Sequence, residues 1–306
     1  MSSTNPYINS DAVAADGAAV TPPCKSARTA LAVIRISGED ANDFLHGQFS
    51  ADLRAFATGS TAVTAWCSPK GRVLFMPRVL RGADAALFVL LPAGQGAAFI
   101  KRLRMFVLRA KVQIEDLTPS HGVMVLDGVA SDTTHAEVVS GIDGERRWLL
   151  GPRAVLAQIW DALGVPAQSA NAACLTDIAR GDALLDDTLS DEFLPQELNL
   201  DLHAGVSFNK GCYPGQEIVA RIKFRGTVKR RMQRLSIAAP TAPAPGTRLL
   251  GQDNAHRGTI LSCAAEDAGH YQALAVVDVD SGPLHLADGV DSAIDSLPLP
   301  YSATGA

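Results

Sequence analysis

The sequence predicts an α+β chain in which mixed strands and helices are followed by a small all-β unit. Up to Gly226, apolar runs of strand length alternate with segments of helical period. Beyond it, short apolar runs at 235–238, 248–250, 258–262 and 271–279 are separated by proline and glycine clusters such as 239–246, the texture of a β-barrel or sandwich. A chain of 306 residues, 47% hydrophobic and 19% charged, has apolar material for about two domains, or three small ones.

Taken in order, residues 31–36 read as a buried strand. Ser37 and Asp40 have the spacing of a capping box, and Ala41, Phe44 and Leu45 form the apolar stripe of a short helix ended by Gly47. Residues 62–67 and 72–80 read as two strands of a hairpin around Ser68-Pro69-Lys70-Gly71, with Pro77 demoting part of the second to an edge or bulge. A third strand is expected over 85–91, a helix over 96–107 with Phe99, Ile100, Leu103, Phe106 and Val107 inward, and a strand over 111–115. Strands at 123–126 and 147–150 precede the clearest helix, 152–163, which starts at Pro152 and ends at Gly164. A further helix is expected over 172–181, and the acidic 186–202 reads as a functional loop or a series of turns.

Composition narrows the function classes. A net charge of −5 gives no global affinity for nucleic acid, and aromatics at 6% do not interleave with basic residues, so a nucleic-acid partner is not expected. The five cysteines are widely spaced with no CxxC pair, which points to a reducing, cytoplasmic compartment rather than a disulfide framework. No apolar run is long enough for a membrane span, the scattered histidines lack metal-ligand spacing, and no metal is assigned. GxGxxG and Walker patterns are absent. The first 23 residues carry no Lys or Arg, unlike a secretory leader, and read as a loose tail.

The densest chemistry is the run Lys210-Gly211-Cys212-Tyr213-Pro214-Gly215-Gln216-Glu217. Its glycines permit a tight turn, Pro214 suits the first position of a helix, and Glu217 falls in the first turn, where negative charge suits the dipole. Cys212 would stand before a helix N-terminus with Lys210 two residues away, and both features favour thiolate over thiol. The same residues also read as a glycine-rich turn around an ordinary buried cysteine. A second concentration is Lys101, Arg102, Arg104, Arg109 and Lys111, five cations in eleven residues. They suit either an acidic ligand tail or a solvated helix face.

The octapeptide 210–217 resembles the hallmark of the YgfZ family of folate-binding proteins implicated in iron–sulfur cluster maintenance, relatives of the glycine-cleavage T-protein, an aminomethyltransferase. The similarity extends through Glu192-Phe193-Leu194-Pro195-Gln196-Glu197-Leu198-Asn199, Val206-Ser207-Phe208-Asn209, Val219-Ala220-Arg221 and Gly226-Thr227-Val228-Lys229-Arg230. It is weaker in Phe44-Leu45-His46-Gly47-Gln48 and Cys67-Ser68-Pro69-Lys70-Gly71-Arg72. The resemblance implies a T-protein-like arrangement of mixed α/β subdomains around a central folate cavity with a C-terminal β-barrel. Its boundaries here would be a disordered tail over 1–28, α/β subdomains over 29–118 and 119–225, and a barrel over 226–306. It implies tetrahydrofolate or a derivative as cofactor, and iron–sulfur clients or assembly proteins as partners. Cys212 and Lys210 would be the reactive core; Glu197, Gln196, Tyr213, Arg221, Arg102 and Arg104 would contact the folate. One departure weighs against aminomethyl transfer: where the T-protein has a catalytic aspartate, this chain has Phe75 and Met76. Phenylalanine can neither orient nor exchange a proton. The alternatives are a one-carbon transferase, with a modified RNA or a small amine as acceptor, and a folate-binding module without chemistry.

Overall fold

The structure is a computed structural model that describes residues 5–8, 21–130, 135–287 and 292–302. Three antiparallel sheets dominate it. The first has the order β3 (Thr61–Val63), β6 (Arg78–Arg81), β7 (Leu87–Pro92), β2 (Leu31–Ser37), β8 (Gln113–Asp116). Alternation along β2 sends Ile34 and Ile36 to one side, where helices α1 (Ala41–His46) and α2 (Gly96–Arg104) bury Leu45, Phe99 and Leu103 against them. Leu31 and Val33 face the other way, onto the second sheet. That sheet has the order β1 (Cys24–Ala27), β9 (His121–Asp127), β11 (Arg146–Pro152), β10 (Val139–Asp143), and it meets the first through Val123, Val125, Trp148 and Leu150. Its outer face carries α3 (Arg153–Ala162), which buries Leu156 and Trp160 with Tyr7.

The third sheet is six-stranded: β16 (Leu284–Leu286), β13 (Arg248–Gly251), β14 (His256–Asp267), β15 (His270–Asp278), β12 (Arg230–Ala238), β17 (Ala293–Leu297). It curls so that edge strands β16 and β17 approach each other, yet no ladder joins them among the described residues. One of its faces joins α4 (Ala170–Arg180) and the turns after it in a core of Leu185, Leu198, Leu261, Leu274 and Val276. Among the described residues, no helix is long and apolar enough to cross a membrane.

Several local expectations are corrected. The predicted 62–67 strand splits into β3 and β4 (Trp66–Cys67), and 72–80 splits into β5 (Val73–Phe75) and β6, because the Thr64 amide bonds the Pro77 carbonyl where the chain changes sheets. β4 and β5 form a separate two-stranded ribbon. The N-cap of α1 is Asp40, without a side-chain cap, so Ser37 does not form the expected box. Helix α2 stops at Arg104, short of Val107. Residues 24–27 are not loose tail: β1 pairs with β9 and Cys24 is fully buried. Lys25 explains part of this, since its ammonium caps the C-terminal carbonyls Trp160 (2.6 Å) and Leu163 (2.7 Å) at the end of α3. Most of the remaining tail lies outside the described residues, apart from Tyr7, whose hydroxyl donates to the Val123 carbonyl at 2.6 Å.

Candidate functional site

The run 210–217 does form a tight turn before a helix, but the helix, α5 (Gln216–Arg225), begins two residues later than Pro214. Gly215 is its N-cap, in the left-handed region at φ 80°. The reason is an interlock with the turn 68–71. A Cβ on Gly215 would stand 2.5 Å from the Ser68 carbonyl oxygen and 2.6 Å from the Gly71 Cα. Gly71 is itself at φ +76°, and a Cβ there would meet the Ile218 side chain at 2.9 Å. Two stretches far apart in sequence therefore dock glycine against glycine, at a separation that only backbone without side chains permits.

Lys210 is 9% exposed and directs its ammonium inward. It donates to the Phe49 carbonyl at 2.5 Å, to Ala51 at 2.9 Å, and to His46. Desolvation lowers its pKa to about 8. With all three donors taken by main chain, the lysine anchors the turn to the segment after α1 rather than offering a free cation to Cys212. Tyr213 is buried, with the Lys210 ammonium 5.2 Å from its ring centre, and burial raises its phenol above the ordinary value. Cys212, between these two inward anchors, is the exposed cysteine of the five. Cys24 and Cys67 are buried, and burial raises the Cys67 thiol to about 12. Arg221 lies exposed on α5.

Gln196 and Glu197 are both engaged by partners within the protein. Gln196 is fully buried and its Nε2 donates to the Val219 carbonyl at 2.7 Å, bracing α5. Glu197 accepts from the Leu194 amide and from Arg230 Nε, each at 2.8 Å, so each carboxylate oxygen already has a donor. Arg102 lies over Trp66 at 5.6 Å, and Arg104 is exposed at the end of α2.

The large cavity lies elsewhere, at the meeting of all three sheets. It has a volume of about 680 Å³ and an apolar wall that includes Val63, Met76, Leu200 and Met232, with Asp182, His203 and Tyr301 among its polar residues. A side chamber of about 250 Å³, walled by Trp148, Leu90 and Ala173, shares Val63, Met76, Arg78, Asp182 and Ala183 with it. None of the eight residues singled out from the sequence lines either space. The shared wall is held by ion pairs. Arg146, wholly buried, reaches Asp127 at 2.7 Å, Asp177 at 2.6 Å and Asp182 at 3.3 Å, while Arg78 reaches Asp143 and Asp182 at 3.0 Å each. Arginine pairing holds the Asp182 carboxyl below its ordinary pKa, against the opposing effect of burial. These residues come from β6, β9, β10, β11 and the end of α4, and no local pattern marks them, because only the packing of two sheets and a helix brings them together. Of the two residues that the resemblance sets against the T-protein aspartate, Phe75 is stacked on Trp66 at 5.6 Å in the core and Met76 lines both chambers.

No family model matches the chain. Among curated proteins it is 29% identical to a tRNA-modifying protein YgfZ of Yersinia enterocolitica, over 89% of this chain and 91% of that one. It is equally similar to a protein of the same description from Colwellia psychrerythraea, over 88% and 90%. Among solved structures, the glycine cleavage system aminomethyltransferase T of Bartonella henselae superposes with a TM-score of 0.72 at 14% identity, covering 90% of this chain and 84% of that chain. The mixed α/β fold is therefore that of the aminomethyltransferase.

Proposed function

We propose, from the premise that this chain is a YgfZ-family protein related to the aminomethyltransferases, that it is a tetrahydrofolate-binding accessory factor in iron–sulfur cluster assembly or repair. The observation that carries the reading is the cavity of about 680 Å³ in a T-protein fold, a volume within the usual range for cofactor sites. Its chemistry suits a reduced pterin, since Val63, Met76 and Leu200 offer an apolar wall and His203 and Tyr301 bring polar groups to the same space. Residues 29–118, 119–225 and 226–306 would be the three units around it. In this reading Gln196 and Glu197 brace the frame beside the cavity, and Lys210 and Tyr213 hold Cys212 outward toward a client protein. Arg221 is one of three exposed cations, with Lys223 and Arg225, on the helix that follows. The cluster itself would be cargo.

The replacement of the T-protein aspartate by Phe75 and Met76 favours an accessory role over aminomethyl transfer, because neither side chain exchanges a proton. The relatives' description as tRNA-modifying proteins favours a second reading, folate-dependent one-carbon transfer linked to tRNA modification. Turnover of methylenetetrahydrofolate with candidate acceptors would establish the second reading over the first.

Calorimetric titration with tetrahydrofolate tests the shared premise. Wild type is expected to bind, and Ala183→Trp, which fills the wall common to both chambers, to abolish binding. A filled variant that binds as wild type does would remove folate from this cavity. In cells, Cys212→Ala is expected to depress cluster-dependent enzymes, and normal activities in that variant would count against the cluster role.

A further inference from the structure

The five cations of 101–111 find no use at the cavity, and their surroundings point to another purpose. After Arg104 the chain does not run off as an open loop. Met105, Phe106 and Val107 donate back to Arg102, Leu103 and Arg104, and Leu108 to Phe106, so 104–109 is one compact, hydrogen-bonded turn. It displays apolar side chains outward: Met105 is 61%, Phe106 41% and Leu108 86% exposed. Behind them the support is rigid, because Phe106 packs edge-on against Trp66 at 5.8 Å, and Trp66 is part of the aromatic core with Phe75 and Phe99. Around them stand Lys101, Arg104 and Arg109, all exposed. Of the five cations only Lys111 has a carboxylate partner among the described residues, namely Glu39. The result is an apolar prong with an uncompensated positive rim on a chain of net charge −5. A contiguous apolar patch rimmed by charge of one sign is how protein docking surfaces are built.

We propose that the turn 104–109 and the adjoining face of α2 dock an acidic amphipathic helix of a partner protein, its aliphatic side chains seated around Met105 and Leu108 and its carboxylates on Lys101, Arg104 and Arg109. Charge complementarity selects an acidic partner. The two most exposed apolar groups are aliphatic, and the one ring, Phe106, is committed to Trp66, so the surface offers no free platform for stacking bases. A prong of three apolar side chains on one turn is also a poor membrane anchor, since α2 spends its own apolar face, Phe99, Ile100 and Leu103, on the core.

The test uses the full chain and a labelled synthetic helical peptide carrying leucines at i, i+3, i+4 and i+7 with glutamates between them. Fluorescence anisotropy is expected to show binding that weakens as salt rises, and a loss of at least about tenfold in affinity for Leu108→Glu and for Arg104→Glu. Both side chains are at the surface, and thermal melting of the variants checks that the fold is kept. No binding of the glutamate peptide, equal binding of a lysine-substituted peptide of the same pattern, or unchanged affinity in both variants would overturn the proposal. So would preferential binding of phosphatidylserine vesicles, or self-association that Leu108→Glu abolishes; these would assign the surface to a membrane or to a second copy of the chain.

Discussion

Lys210 shows how much one side chain can organise. Its ammonium serves three carbonyls from a segment more than 150 residues earlier, at His46, Phe49 and Ala51. Lys210→Met keeps the stem but strands buried acceptors, and should cost about 2–4 kcal/mol in urea unfolding. Its titration has a definite sign. The folded pKa is lowered to about 8 from an ordinary 10.5, so between those values the unfolded chain holds a proton that the folded chain has released. Stability from this group therefore rises with pH across that window and is lost as pH falls through about 8. The difference in stability between wild type and Lys210→Met should grow from pH 8 upward, and a difference that shrinks there would contradict a lowered pKa for Lys210. Cys212 makes a simpler case. It is exposed while Cys24 and Cys67 are buried, so iodoacetamide should modify Cys212 first in the native protein and reach the other two only on unfolding. Early labelling of Cys24, which the sequence alone places in an accessible tail, would contradict the pairing of β1 with β9.

Among elements, the decisive contact is between the turn 68–71 and the N-terminus of α5. Gly215→Ala forces a Cβ to 2.5 Å from a carbonyl oxygen at φ 80°, and should destabilise by about 3 kcal/mol through strain and displacement of the facing turn. Gly71→Ala meets the Ile218 Cβ at 2.9 Å, which no side-chain rotation moves, and is strained at φ +76°, so its cost should be similar. A double variant less destabilised than the sum of the two would show that they disturb one contact; strict additivity, read by chemical denaturation, would mean that the turns do not depend on each other. The helix itself reads well from its sequence, but its first residue does not. Pro214 looks like a helix start, whereas the left-handed conformation of Gly215, imposed by the partner turn, delays the helix to Gln216.

At the scale of the whole molecule, the ion pairs of Arg146 with Asp127, Asp177 and Asp182 tie the second sheet to α4 and the turn after it at the cavity wall, and Arg78 with Asp143 ties that sheet to the first. Arg146 is wholly buried, so Arg146→Met leaves three carboxylates short of a counter-charge and should cost about 3–5 kcal/mol. The loss is expected to be accompanied by weakened binding at the cavity, since Asp182 lines both chambers. A stable variant, or a destabilised one whose ligand affinity is unchanged, would separate this network from the site.

The local patterns were enough to place most elements. Short continuous apolar runs mark β2 and β9, helical period marks α2, α3 and α4, and the octapeptide with its flanks carries the resemblance to the YgfZ family, because each of these signals lies within a few consecutive residues. They also show that 210–217 is a special turn. What that turn rests on is invisible locally: Lys210 is charged and reads as free, yet tertiary contacts commit it to carbonyls far up the chain. The same holds for Gln196 and Glu197, which carry polar chemistry in sequence and spend it on Val219, Leu194 and Arg230 in the fold. The edge strand β1 lacks a local signal because it is only 4 residues long and follows a proline pair, and only pairing with β9 defines it. The cavity is the extreme case. Its walls draw single residues from strands, turns and a helix end spread from Pro22 to Tyr301, and the packing of three sheets alone determines which of them face a common space.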